Sequence, residues 1–368
     1  MPSSSARTVD TTAAIDAQRE ILKLDANETT IPPSPLVTAR LQAAIQDGSV
    51  ASYPDPDAAA VRRRLAEYAS RPLSQVLAFN GSDATLDCAV RALTVPGDRV
   101  RICSPCYDRF RVFAAAYGSA IDSIYSADPF TPDIDTLLDG IDDRTRLVYV
   151  SNPNNPTGRM YTTDEIERLL ERLAACPERA AAGASGTAGV LLVDEAYFEF
   201  SGRTAAALLD RYDNLLITRS MSKAFGLAGL RAGYTLSSEA IAERLRRIWN
   251  GREMNVMAQL AAIAALDDFE YAARYVTEVV DAREWLTCEL RARGFDAMST
   301  PGNFILLRVA DPAGLLAQLR RAGIFIRNRS DLPQLAGIVR VTVGTRPQCE
   351  RFLEALCATS ISTASGAR

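Results

Sequence analysis

The sequence predicts an α/β fold, a mostly parallel sheet flanked by helices, with a smaller α+β domain C-terminal to it. Three observations carry this. From about residue 76 to 236, short β-branched and apolar runs alternate with stretches whose apolar residues recur at helical spacing. After Leu236 the pattern becomes helix-heavy before three further strands. And 368 residues are too many for a single hydrophobic core.

Taken in order, residues 1–35 read as an N-terminal arm, whose Ser/Thr/Ala-rich first part is expected to be disordered. Residues 36–240 read as the large domain. Its candidate strands are Val76–Asn80, Arg99–Cys103, Leu147–Ser151, Val190–Asp194, Asn214–Arg219 and Arg231–Leu236, apolar enough to be buried on both faces. Leu86, Val90 and Leu93 mark one helix between them, and Ile166, Leu169, Leu170 and Leu173 another. The small-residue stretch Pro177–Gly189 reads as a surface loop. Residues 241–358 read as the small domain, with helices near Ala240–Trp249, Val256–Leu266 and Tyr271–Arg293, then strands Asn303–Arg308, Gly323–Arg327 and Ile338–Val343. Residues 359–368 read as a disordered tail.

Composition excludes several functions. Acids and bases are mixed along the chain and the net charge is −4, which argues against nucleic acid or an anionic membrane as a partner. The start of the chain carries no apolar signal segment, and the run Met254–Leu266 is too short to span a bilayer. Seven scattered cysteines read as reduced thiols, so a cytoplasmic protein is expected. There is no histidine, which removes Ser-His-Asp and Cys-His mechanisms and most zinc sites. Of the 41 basic residues only Lys23 and Lys223 are lysines, so amine chemistry has two side chains to choose from besides the N-terminus.

Five strings carry chemistry. In SMSKAFGLAGLRAG, Lys223 follows a strand among small hydroxyls, a place suited to a Schiff base with a carbonyl cofactor rather than to packing. Ser220, Ser222 and Arg231 can hold a phosphate there. The alternative is a solvated loop lysine. In VLLVDEAYFEF, Asp194 ends a strand where parallel sheets bind ligands. It can pair with a protonated pyridine nitrogen, and Tyr197 can reach a ring hydroxyl; a helix-capping Asp with a core Tyr is equally compatible. In SNPNNPTG, two Asn-Pro pairs and a glycine fix the backbone around Asn155. In FNGSDATLDCAVRAL, strand, Gly-Ser-Asp and helix place the N–H groups of Ser82 and Asp83 at a positive helix end, which a capped helix without ligand would also do.

The fifth string, CSPCY, has the C-x-x-C spacing of redox and metal sites, but no second pair completes a metal shell, and Tyr107 is the better candidate, stacked on a planar ring. Near the C-terminus, Arg340 interrupts the apolar run IVRVTV and Arg327 lies in FIRNRSD. An arginine such as Arg340 either lies on a solvated face or awaits an anion.

Together these strings resemble the pyridoxal-phosphate (PLP) dependent aminotransferases of fold type I, class I/II, and among them histidinol-phosphate aminotransferase. LDANE, YPDP, NPNNPTG, VDEAYFEF, SMSKAFGLAGLRAGY, NVMAQLAAIAAL, GNFIL and VRVTVGTR stand in the family's order between about Leu24 and Arg346. The resemblance implies PLP as cofactor and Lys223 as the lysine that holds it and shuttles a proton. It implies Asp194 at the pyridine nitrogen, Asn155 and Tyr197 at the ring oxygen, and Tyr107 stacked on the ring. Ser82, Asp83, Ser220, Ser222 and Arg231 would hold the phosphate. Tyr53 of YPDP would reach the phosphate of a neighbouring subunit, so a homodimer is implied. Arg327, Arg340 and Asn27 would meet the substrate. The implied reaction passes an amino group between a small amino acid or amino-alcohol phosphate and a keto acid such as 2-oxoglutarate; a PLP-dependent decarboxylase, lyase or cyclase would use the same residues. The departures lie around the substrate. No aromatic precedes LDANE, Thr29 and Thr30 replace the family's Asn-Pro, and Ala84 replaces the Glu after Gly-Ser-Asp.

Overall fold

The structure, a computed structural model, describes residues 21–131, 133–176 and 189–358. The segments read as a disordered start, the surface loop and the tail lie almost wholly outside the described residues.

After strand β1 (Leu22–Leu24) come helices α1 (Pro35–Gln46) and α2 (Ala59–Ala69). Then strands and helices alternate: β2 (Val76–Phe79), α3 (Ser82–Leu93), β3 (Arg99–Ser104), α4 (Asp108–Ala116), β4 (Ala120–Tyr125), α5 (Ile134–Leu138), β5 (Thr145–Ser151), α6 (Thr163–Ala174), β6 (Val190–Asp194), α7 (Phe198–Ser201), β7 (Leu215–Ser220) and β8 (Gly233–Ser237). These strands form one seven-stranded sheet in the order β2-β8-β7-β6-β5-β3-β4. It is parallel from β4 to β7, and only β8 pairs antiparallel, with β7 and β2.

The alternation of side chains across a strand explains why the central strands are apolar throughout. Leu147, Tyr149, Val190, Leu192 and Leu216 pack on one face, and Val148, Val150, Leu191, Val193, Leu215 and Ile217 on the other. Helices cover both faces. Strand β4 was missing from the sequence expectation because it is an edge strand, half-exposed, with the mixed sequence AIDSIY. The last large-sheet strand begins at Gly233 rather than Arg231, because Arg231 takes a left-handed conformation (φ 57°) that ends the preceding turn.

The chain continues through α8 (Glu239–Arg246), α9 (Val256–Asp267) and the long α10 (Phe269–Ala292), then β9 (Asp296–Ser299), β10 (Phe304–Arg308), α11 (Pro312–Arg321), β11 (Ile324–Asn328), β12 (Ile338–Thr342) and α12 (Arg346–Cys357). A second, five-stranded sheet has the order β1-β11-β12-β10-β9. Its edge strand β1 comes from the N-terminal arm and runs parallel to β11. Three residues are too short a run for periodicity to reveal. This pairing carries the residues that follow β1, Asp25 to Glu28, to the arginines of β11 and β12. Helix α9 lies against α1 and α2. No helix among the described residues is long and apolar enough to cross a membrane.

Candidate active site

The carboxyl ends of β5, β6 and β7 open on a cavity of about 370 Å³, closed from the other side by the segment after β1 and by β11 and β12. A cavity at the carboxyl edge of a parallel sheet is where such folds bind ligands.

One end can hold an oxyanion. Helix α3 begins without a side-chain cap at Gly81, whose φ of 84° turns the chain sharply from β2 into the helix. A Cβ on Gly81 would come 2.7 Å from the Arg231 guanidinium, and one on Gly233 would come 2.7 Å from the Ser82 nitrogen. Both positions need glycine so that backbone and guanidinium can close in. The left-handed turn at Arg231 aims its side chain back here, where it pairs with Asp83 at 3.2 Å. Ser82, Ser220 and Ser222 line the same end, and the Ser222 N–H donates to the Ser220 hydroxyl. Free helix N–H groups, hydroxyls and a guanidinium together make an anion seat.

The other end can hold a cation. Asp194, the last residue of β6, is buried; its carboxylate accepts from the Tyr149 hydroxyl at 2.9 Å and from the Ala196 N–H at 3.1 Å, and forms no salt bridge among the described residues. Burial pushes it up to about 6, against the pull of those two donors. A buried carboxylate so placed is stabilised by a protonated nitrogen facing it.

Between the ends stands Lys223. Its amine donates to the Ala26 carbonyl at 3.1 Å, and the Thr29 hydroxyl donates to the Lys223 carbonyl. Burial, with the nearby Arg340 and Arg231 charges, lowers its pKa to about 8. The neutral, nucleophilic amine is thereby reached near ordinary pH. Lys23 is the other lysine; it lies on the surface against Glu28.

The third wall is cationic. Arg340 is 3% exposed, which decides between the two sequence alternatives: it does not lie on a solvated face. Its guanidinium donates to Asn155 Oδ1 at 2.6 Å and to the Asp25 carbonyl at 2.8 Å, while Nε is buried without an acceptor. Arg327 is its register partner on β11 and lies 3.7 Å from the Asp25 carboxylate.

All but two of the sequence-predicted site residues line this one cavity: Ser82, Asp83, Tyr107, Asn155, Asp194, Tyr197, Ser220, Ser222, Lys223, Arg231, Arg327 and Arg340. Asn27 does not line it. It is fully buried behind Tyr197, because its φ of 53° turns the side chain inward. Tyr53 does not either; it is 90% exposed, with Arg252 over its ring.

The comparisons with known proteins agree with this geometry. The model of the family "Aminotransferase class I and II" matches residues 19–356. The chain belongs to that family. A dihydroxyacetone phosphate transaminase of Campylobacter jejuni is 34% identical over 344 residues, 92% of this chain and 90% of that protein. A histidinol-phosphate aminotransferase of Dechloromonas aromatica is 34% identical over 343 residues, 91% of this chain and 92% of the relative. Among solved structures, histidinol-phosphate aminotransferase from Sinorhizobium meliloti in complex with pyridoxal 5′-phosphate superposes with a TM-score of 0.79 at 26% identity, covering 96% of this chain and 94% of that one.

Within this aminotransferase, four residues at or beside the cavity had escaped the sequence. Tyr149 reads as one more apolar strand residue, yet strand alternation puts it on the face of Asp194. Ser151 is the register partner of Asp194 and lines the cavity. Glu28 lines it through the β1 pairing. Arg329 stands two residues after Arg327, and that spacing was its available signal. The C-x-x-C cysteines, Cys103 and Cys106, are both free and buried, and burial raises both thiols. Cys103 contacts the Tyr161 hydroxyl and the Arg159 guanidinium, and among the described residues no three Cys, Asp or Glu side chains are grouped to hold a metal ion.

Proposed function

We propose that this aminotransferase moves an amino group between a small amino compound with an anionic end, an amino acid or amino-alcohol phosphate of the histidinol-phosphate type, and a keto acid such as 2-oxoglutarate. One observation carries the reading: a single cavity gathers an oxyanion seat, the Lys223 amine, the buried Asp194 carboxylate and a wall of arginines.

PLP fits this donor set: the glycine-lined end of α3 would hold its phosphate, and Asp194 would meet its ring nitrogen. When bound, it supplies a carbonyl that takes an amine and a ring that draws electrons from the substrate carbon. Lys223 holds the cofactor and moves a proton to and from that carbon. Asp194 keeps the ring nitrogen protonated, with Tyr149 fixing the carboxylate. Asn155 and Tyr197 would meet the ring oxygen, and Tyr107, whose hydroxyl donates to Asp83 at 2.9 Å, would stack on the ring. Ser82, the Asp83 N–H, Ser220, Ser222 and Arg231 hold the phosphate. Arg340 and Arg327 receive the anionic end of the substrate by paired hydrogen bonds. The exposure of Tyr53 suits a role across a homodimer interface, at the neighbouring subunit's phosphate.

A panel of amino donors with 2-oxoglutarate, histidinol phosphate included, tests the reading; glutamate formation is the expected result. Glutamate with dihydroxyacetone phosphate as acceptor belongs in the panel, because the Campylobacter relative is named for transaminating it. A decarboxylase, lyase or cyclase would consume its amino acid and leave 2-oxoglutarate unchanged.

A further inference from the structure

Arg327, Arg329 and Arg340 crowd one patch of the small sheet. Arg327 and Arg329 are two residues apart, so strand alternation turns them the same way, and Arg340 is the register partner of Arg327 on the adjacent strand. All three line the main cavity. Like charges directly opposite on paired strands repel. The protein offers little to offset this. Among the described residues one carboxylate, Asp25, comes within ion-pair distance of any of the three, and it serves Arg327. Arg340 has, among the described residues, only neutral acceptors, Asn155 and a backbone carbonyl. No hydrogen bond from the Arg329 side chain is seen among the described residues, and its Nε is buried without an acceptor.

The backbone holds Arg329 firmly in this position. Its N–H donates to the Ile338 carbonyl at 3.0 Å, extending the β11–β12 pairing by one residue, and its carbonyl accepts from Leu332 at 3.1 Å. Arg329 also walls a side cavity of about 130 Å³ beside the main one, whose other walls include Tyr107, Asp108, Arg109 and Pro156. Tyr107, Asn155 and Arg329 border both spaces, so the side cavity continues the main one past Asn155. Asp108 is the carboxylate of this recess. The Arg329 and Arg111 charges act on it, with Asp331 opposing them; it makes no ion pair among the described residues, and the second guanidinium of the recess, Arg109, is its neighbour in the chain.

We propose that Arg329 is a specificity-determining residue: it binds an oxyanion, phosphate ester or carboxylate, at the distal end of the amino substrate, and so selects substrates that carry one. This rests on the aminotransferase reading for what the substrate is, but not for whether the anion binds. The free Nε–H and the cation excess supply the donor and the charge; the recess supplies room beyond the positions of Arg327 and Arg340. Among the described residues no hydrogen bond or ion pair joins this side chain to Lys223 or Asp194, so its effect belongs to binding rather than to proton transfer.

The test uses holoenzyme of the wild type, Arg329→Gln and Arg329→Lys. Paired donors with and without the distal anion, glutamate against 2-aminobutyrate and histidinol phosphate against histidinol, are compared by kcat/KM. In Arg329→Gln the anionic-to-neutral ratio is expected to fall about ten- to a hundredfold, chiefly through KM, the loss of a charge-assisted hydrogen bond. Arg329→Lys should recover part of it, and the visible spectrum of the bound cofactor should not move. The glutamate pair and the phosphate pair together tell which oxyanion the residue prefers. Binding of inorganic phosphate and of glutarate to the same holoenzymes is measured by calorimetry, and both should weaken in Arg329→Gln. If donors are turned over but the ratio is unchanged in Arg329→Gln, the proposal is overturned and the aminotransferase reading stands. If no donor gives glutamate, the latter reading fails, and the calorimetry alone decides: equal affinity in wild type and Arg329→Gln overturns the proposal.

Discussion

Asn27 donates through Nδ2 to the phenol oxygen of Tyr197 at 3.0 Å, deep behind the cavity wall. The amide is held in that sense from its other side, where Oδ1 accepts from the Thr342 hydroxyl at 3.2 Å, and the Asn27 backbone N–H donates to Thr342 Oγ1 at 2.9 Å. Since the phenol oxygen already accepts from Asn27, the proton of Tyr197 is left to point into the cavity, as a donor. Asn27, expected at the substrate, is thus a positioning residue for Tyr197.

The first prediction follows from this pair. If Tyr197 donates to the ring oxygen of the bound cofactor, Asn27→Ala should move the pH midpoint of the cofactor's visible absorbance upward, because the oxyanion loses an aligned donor. Tyr197→Phe should move it the same way and further. In the Tyr197→Phe background, adding Asn27→Ala should change the midpoint little. A full, additive shift in the double variant would mean that Asn27 acts through some other group.

The second concerns the attachment site. Borohydride reduction of purified protein followed by peptide mapping should place one pyridoxyl group on Lys223. Lys223 is the one lysine in the cavity, and Lys23 lies at the surface paired with Glu28. Lys223→Ala should abolish transamination. Label recovered on Lys23 would remove Lys223 from the mechanism.

The third concerns Asp194. Asp194→Asn should keep the cofactor but lower kcat roughly a hundredfold or more, since a neutral amide cannot hold the ring nitrogen protonated. Tyr149→Phe should cost much less, because the carboxylate keeps its charge and its bond to the Ala196 N–H. Near-normal turnover in Asp194→Asn would be incompatible with the proposed role.

The fourth is a pH dependence of cofactor capture by the apo-protein. Capture needs the neutral amine of Lys223, whose folded pKa of about 8 lies below the ordinary lysine value of 10.5. The second-order rate should therefore climb with pH and level off above about 8, rather than continuing to rise toward 10. Retention needs ionised Asp194, whose pKa is raised to about 6. Affinity should fall as pH drops below that value, where the carboxyl is protonated and the cation at the ring nitrogen loses its partner. Stopped-flow absorbance and equilibrium dialysis across pH 5–10, a range of about five decades of proton activity, read the two limbs separately.

How much of this was legible depends on whether a residue's surroundings are local in sequence. Asp194 and Lys223 were readable because the strand, the turn and the chemical group occupy one short string. The oxyanion seat was readable in parts, Gly-Ser-Asp in one string and Arg231 in another, but not the left-handed turn that lets Arg231 cover Gly81. Asn27 was misplaced because its direction depends on one positive φ and on Thr342, 315 residues away. Arg340 stood between two alternatives until its burial was known, since strand alternation says which side an arginine takes only once the sheet's neighbours are known. Strand β1 was invisible because three residues become a strand only when β11 lies beside them.

The last prediction concerns Arg340. Burial disfavours its charge, lowering its pKa to about 9, with Arg329 and Arg327 adding repulsion. An arriving carboxylate or phosphate offsets both, and the planar fork can give it two parallel hydrogen bonds once the bond to Asn155 is exchanged or shared. Arg340→Lys removes the fork and shortens the reach, so kcat/KM should drop about tenfold or more. Donor and acceptor use the same seat in turn, so both half-reactions should slow together in single-turnover measurements, while the absorbance of the bound cofactor barely changes. Slowing of the donor half-reaction alone would assign the acceptor's anion to Arg327. Unchanged constants for both would leave Arg340 as a strut between Asn155 and the Asp25 carbonyl, with no part in binding.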